Sequence, residues 1–120
     1  VSRDASIILP WVDGDYMFRL GWTELEQLQE ACDAGPYVIF GRLSDGSWHM
    51  KDISATIRLG LVGGGMELAK ALKMVRGNVE GRPPIEHVAF AQGILGAALF
   101  GAPEEGDISK KKAPRKATSE

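Results

Sequence analysis

The stretch "IRLGLVGGGMELAKAL", Ile57–Leu72, places three consecutive glycines inside a run that otherwise has helical spacing. Glycine bends freely and lets other groups approach bare backbone, so Gly63-Gly64-Gly65 must either separate two helices or cradle a ligand. A phosphate-binding loop reads G-x-x-x-x-G-K-[ST], because the lysine reaches the outer phosphates and the hydroxyl binds magnesium. Here Met66 and Glu67 follow the glycines, and the carboxylate would repel a phosphate. The dinucleotide pattern G-x-G-x-x-G fails as well, with Val62 and Leu68 at positions that need glycine. Both motifs follow a strand, whereas "DISATIRLGL" has helical spacing. The sequence therefore predicts a structural hinge at Gly63, Gly64 and Gly65: a helix C-cap, a turn and the start of the next helix. No nucleotide or other cofactor is expected.

On either side of this hinge the pattern predicts an α+β chain. "SIILPWVDGDYMFRLG" reads as two short strands with Asp13-Gly14 as the two-residue turn, and Pro10 marks an edge or a bulge. A helix follows, with Thr23 and Glu26 as a capping box and Leu25, Leu28 and Cys32 on its apolar face. Pro36 opens a short helix carrying Ile39 and Leu43. Asp52 or Ser54 caps the helix of Ile53, Ile57 and Leu61. Beyond the glycines, Leu68, Ala71, Leu72, Val75 and Val79 recur at helical spacing. The last helix, about Ile85 to Phe100, is apolar around most of its circumference and is expected at the centre of the bundle. Its small residues Ala89, Gly93, Ala97 and Gly101 lie four apart and would admit a neighbouring backbone. The expected architecture is an N-terminal β-hairpin packed against four to five helices, forming one domain over 1–101. Residues 102–120, "APEEGDISKKKAPRKATSE", read as a disordered basic tail.

Side-chain chemistry gives no catalytic set. His49 and His87 have no Cys or acidic partner at metal-ligand spacing and read as surface or satisfied structural residues. Cys32, the only cysteine, falls on an apolar helix face without a base beside it, and its isolation suits a reducing cytoplasm. The amino end has no apolar segment of signal-peptide type, since Pro10, Asp13, Gly14 and Asp15 interrupt it. The run Val88–Ala102 is shorter than the roughly 20 residues of a membrane span. A formal net charge of −2 gives no global reason to expect nucleic acid or an anionic membrane as partner. The tail cations Lys110, Lys111, Lys112, Arg115 and Lys116 lack interleaved aromatics and read as solubilising. Trp11, Trp22 and Trp48 are either interface anchors or core residues at the hairpin–helix junction. From its residues the chain reads as a non-enzymatic domain that works by binding, with no small-molecule substrate.

The order of segments carries a resemblance. A hairpin around "DGDYMFRL" leads to the acidic helix "TELEQLQEACDAGPYVIFGRL", then "WHMKDISATIRLGLVGGGM", "ALKMVRGNVEGRPP" and "AQGILGAALFG". In this order and spacing, and above all in "IRLGLVGGG", Ile57–Gly65, the chain resembles the gene-transfer-agent family of phage-tail proteins. That family is grouped with tail assembly chaperones and also labelled tail tube proteins. The resemblance covers about Ile7 to Gly101 and leaves the basic tail outside.

It implies a tail assembly chaperone that binds the long, helical tape measure protein in the bacterial cytoplasm while tube subunits polymerise. The alternative it leaves open is a structural subunit of the tail tube or connector, retained in the particle. The family supplies no catalytic residues to transfer. Arg58, a charge inside the most distinctive stretch, and Trp48 are the expected partner-binding residues, and homo-oligomerisation stays open. A regulator binding nucleic acid through residues 102–120 is a third reading, from a different functional class.

Overall fold

The structure, a computed structural model, describes residues 5–101; the tail expected over 102–120 lies outside them. Strands β1 (Ser6–Trp11) and β2 (Gly14–Arg19) form an antiparallel hairpin. Five α-helices follow among the described residues: α1 (Trp22–Cys32), α2 (Pro36–Asp45), α3 (Met50–Gly63), α4 (Leu68–Val75) and α5 (Val88–Phe100). A π-helical turn, Arg76–Glu80, extends α4, and a 3-10 turn, Pro84–His87, leads into α5. The chain is thus α+β, a hairpin packed on a small helical bundle, as the sequence predicts.

The register pairs Ile7 with Phe18, Leu9 with Tyr16 and Trp11 with Gly14. The turn is therefore Val12-Asp13, one residue earlier than the predicted Asp13-Gly14. With Gly14 opposite it, the Trp11 indole is free to reach Tyr16 and Phe18, at centroid distances of 5.8 and 6.0 Å. Cross-strand aromatic packing outweighs the local preference for glycine inside the turn. The strain falls on Val12, whose φ of 54° is a left-handed conformation that β-branched residues resist. Pro10, paired with Asp15, sits in a strand of a two-stranded sheet without a bulge.

Helix α1 begins earlier than the proposed capping box allows. Its N-cap is Gly21, and Glu24 accepts a hydrogen bond from the Gly21 N–H at 2.9 Å, so Thr23 and Glu26 lie inside the helix. Leu28 and Cys32 are buried as predicted, and Leu25 is partly so. Pro36 opens α2, which buries Ile39 and Leu43. In α3, Asp52 does cap, but from the third helical position: it accepts from the His49 N–H at 2.8 Å and pairs with Arg42 at 3.3 Å.

The central helix is α3, not α5 as composition predicts. Strand β2 and helices α1, α2, α4 and α5 all pack on it, and Ile53, Ile57 and Leu61 are buried together. Helix α5 divides its apolar circumference, burying Ala91, Ile94, Leu95 and Ala97 while leaving Phe100 outside. Its small-residue stripe does not admit a backbone: Ala89 and Gly93 are exposed, and a Cβ on Gly93 would meet nothing. In α4, Ala71 and Val75 turn inward while Leu68 and Leu72 remain exposed, a split that helical periodicity alone does not reveal.

The glycines separate α3 from α4 by a Schellman motif, in which Met66 N–H donates to Leu61 O at 2.9 Å and Gly65 N–H to Val62 O at 3.0 Å. Gly65 supplies the positive φ, 114°. Gly63 and Gly64 have a different task. A Cβ on Gly63 would overlap the carbonyl oxygen of Arg19, and one on Gly64 that of Met17. Together they form a bare patch on which the β2 backbone lies, and Gly60, on the same helix face, makes room for the side chains of Phe18 and Ile94.

Candidate partner-binding groove

Beside the glycines lies a hollow of about 350 Å³ whose wall carries Asp15 and Glu67 against a single cation, Lys70. It follows a helix, and its balance of charge is wrong for phosphate. Cys32 is equally unsuited to covalent chemistry. Burial and the nearby Asp52 carboxylate push its thiol up to about 12, and the Sγ donates to Lys51 O at 3.6 Å, so it stays protonated at neutral pH. No group of His, Cys, Asp and Glu side chains among the described residues could hold a metal ion. No described helix is long and apolar enough to cross a membrane.

The three tryptophans separate. Trp11 is buried in an aromatic cluster with Phe18 and Phe90, stacked on Phe90 at 5.7 Å. Its Nε1–H donates to Nε2 of His87 at 3.1 Å, tying β1 to the start of α5. His87 Nδ1 then carries the ring proton, buried and without a partner. Burial holds the His87 pKa below its ordinary value, with Arg82 adding to the shift and Glu86 opposing it. His49 is exposed at the start of α3. Trp48 is partly buried against the core, and Arg58 is partly buried in the middle of α3. Trp48 precedes α3, and Arg58 lies about two turns into it, about 12 Å along the axis from Met50. Neither lines the groove described next.

Trp22 is the exposed tryptophan, 81% accessible at the first turn of α1. It forms one end of a groove of about 330 Å³. Helix α1 contributes Trp22, Leu25, Glu26 and Gln29, α2 contributes Pro36 and Tyr37, and α5 contributes Leu99. Tyr37, 69% exposed, and Phe100, 59% exposed, continue the apolar surface beside it. Tyr37 stacks nearly parallel on Phe40 at 6.4 Å, and Phe100 meets Phe40 edge-on at 5.4 Å. Gly96 lets Phe40 lie close to α5, since a Cβ there would come within 3.3 Å of the ring. The lining holds one carboxylate, Glu26, and no cation. Contiguous exposed aromatics of this kind mark an interaction surface, and a channel between helices takes the apolar face of another helix.

Sequence reasoning named Trp22 only together with Trp11 and Trp48, chose Trp48 and Arg58 as the partner-binding residues, and missed Tyr37, Leu99 and Phe100. The signal for Tyr37 was present in "PYVIF", where Tyr37 and Phe40 stand three apart while Ile39 occupies the buried face. No curated protein and no solved structure matches this chain. A family model described as "Phage tail tube protein, GTA-gp10" matches residues 4–101. That span takes in the hairpin, the glycine-ended α3 and every helix lining the groove, and by it the chain belongs to this family of phage tail proteins.

Proposed function

We propose that this chain is a non-enzymatic tail assembly chaperone that binds the tape measure protein of a phage-like gene transfer agent in the bacterial cytoplasm while the tail is built. The observation that carries the reading is the exposed aromatic groove between α1, α2 and α5. A long helical client presents repeated amphipathic faces, and each can lay apolar side chains between Trp22 and Tyr37. Glu26 at the wall favours a client segment with cations beside its apolar stripe. Co-expression with the neighbouring tape measure gene tests this. Co-purification, or a gain in solubility of the tape measure protein, is expected, and absence of both ends the chaperone reading.

The family's description as a tail tube protein favours a second reading, a structural subunit retained in the particle. A two-stranded sheet offers little for the continuous β-structure from which rings are commonly built. Mass spectrometry of purified particles separates the readings. Recovery at copy numbers near those of abundant tail components supports the subunit, and absence supports the chaperone.

A further inference from the structure

We propose that the groove has a second occupant, helix α4 of another copy of this chain, so that the protein self-associates head to tail when no client fills the groove. The proposal rests on the groove being a helix-binding site, as in the reading above, but not on the identity of the client.

Two separate surfaces of one molecule carry the argument. Helix α4 leaves Leu68 and Leu72, 52% and 38% exposed, one turn apart along the uncovered edge of the face that buries Ala71 and Val75. Around them stand Lys70, Lys73 and Arg76, all exposed and without an ion pair among the described residues. This is a short amphipathic helix whose apolar face is only partly covered by its own core, with cations along its polar side. The groove is its counterpart: apolar walls at Trp22, Leu25, Tyr37 and Leu99, with Glu26 as the only charge in the lining. Glu30, exposed one turn along α1, extends the same negative edge. On a single molecule the two surfaces stay apart, because α4 packs on α3 and the π-helical turn whereas the groove lies among α1, α2 and α5. The α4 of one copy therefore meets the groove of another, an interface that joins two different patches. Apolar contact supplies the affinity, and the Glu26–lysine pairing sets direction and makes the contact salt-sensitive.

Sedimentation velocity of the full chain without client tests this, using two variants at exposed sites: Tyr37→Glu to block the groove, and Leu68→Glu/Lys73→Glu to spoil α4. Circular dichroism establishes that both are folded. The wild type is expected to shift from monomer to larger species with concentration, with association weakened about tenfold by high salt. Each variant alone stays monomeric. Mixed together they form one-to-one dimers, because each retains the surface the other has lost. A wild type that remains monomeric to about 1 mM, in the weakest affinity range, overturns the proposal. So does association that either variant leaves intact, or a mixture that stays monomeric. A full-length variant with Lys110, Lys111, Lys112, Arg115 and Lys116 changed to Gln is expected to associate like the wild type; its loss of association makes the tail the occupant and overturns the proposal. Because the measurement contains no tape measure protein, its failure leaves the co-expression result standing, and the reverse holds too.

Discussion

The molecule has two aromatic clusters with opposite fates. At the hairpin end, Trp11, Tyr16, Phe18 and Phe90 close into the core over α3. At the other, Tyr37, Phe40 and Phe100 assemble just as closely, yet Tyr37 and Phe100 remain open to solvent beside Trp22. Ring chemistry does not distinguish them; what covers them does. Gly63 and Gly64 let the β2 backbone descend onto α3, Gly60 makes room for the Phe18 ring, and the first cluster is sealed. Nothing among the described residues lies over the second. One cluster holds the fold together, and the other stays open to solvent.

The largest break in this comparison is Gly63→Val or Gly64→Val. A side chain there collides with backbone carbonyls that cannot rotate away, so a cost of about 4 kcal/mol or more and loss of the cooperative thermal melt are expected. Phe18→Ala, a fully buried ring in the sealed cluster, should cost ~3–5 kcal/mol in chemical denaturation. The open cluster should respond in the other currency. Tyr37→Ala or Phe100→Ala is expected to change stability by under ~1 kcal/mol while weakening capture of the tape measure protein by ~2 kcal/mol, read by calorimetric titration. Equal losses of stability from both clusters would erase the distinction. Val12→Asn tests the hairpin turn: asparagine tolerates the left-handed conformation, and a gain of up to about 1 kcal/mol is expected in the melt.

The smallest effect concerns pH. His87 has its pKa lowered by burial, so below its ordinary value near 6.5 the unfolded chain takes up a proton more readily than the folded one. Stability from the neutral ring is fully present above pH 6.5 and is lost as pH falls from there through the folded pKa. Protonation also removes the Nε2 lone pair that accepts from Trp11. Melts at pH 7.5 and 5.5 should differ more for the wild type than for His87→Gln, and an unchanged slope would detach His87 from the pH response.

Local chemistry made much of the fold legible. Proline at the first turn of α2, the spacing of Ile53, Ile57 and Leu61, and the glycine end of α3 each depend on near neighbours in the chain. Apart from the α1 cap, which shifted by two residues, the errors arose where packing beyond the near neighbours decides. The turn moved to Val12-Asp13 because Trp11 packs across the hairpin. Helix α5 lost the central place because several elements converge on α3. The exposed apolar residues, on α4 and around the groove, were the least legible feature. Leu68 and Leu72 look like core residues by spacing, and Tyr37, Leu99 and Phe100 look like core residues by type. Exposure follows from what the rest of the chain leaves uncovered, and periodicity does not encode that.

The far wall of the groove is Leu99, on the last helix, whereas Trp22 and Tyr37 stand near the beginning. Chains emerge from the ribosome amino end first, at about 5–20 residues per second, so the first two walls exist for seconds before the third. The interaction surface is complete only once nearly all of the described chain has been synthesised. A fragment stopped before α5 would carry Trp22 and Tyr37 but have no channel between them. The proposed capture of a client would thus wait until the molecule is nearly finished.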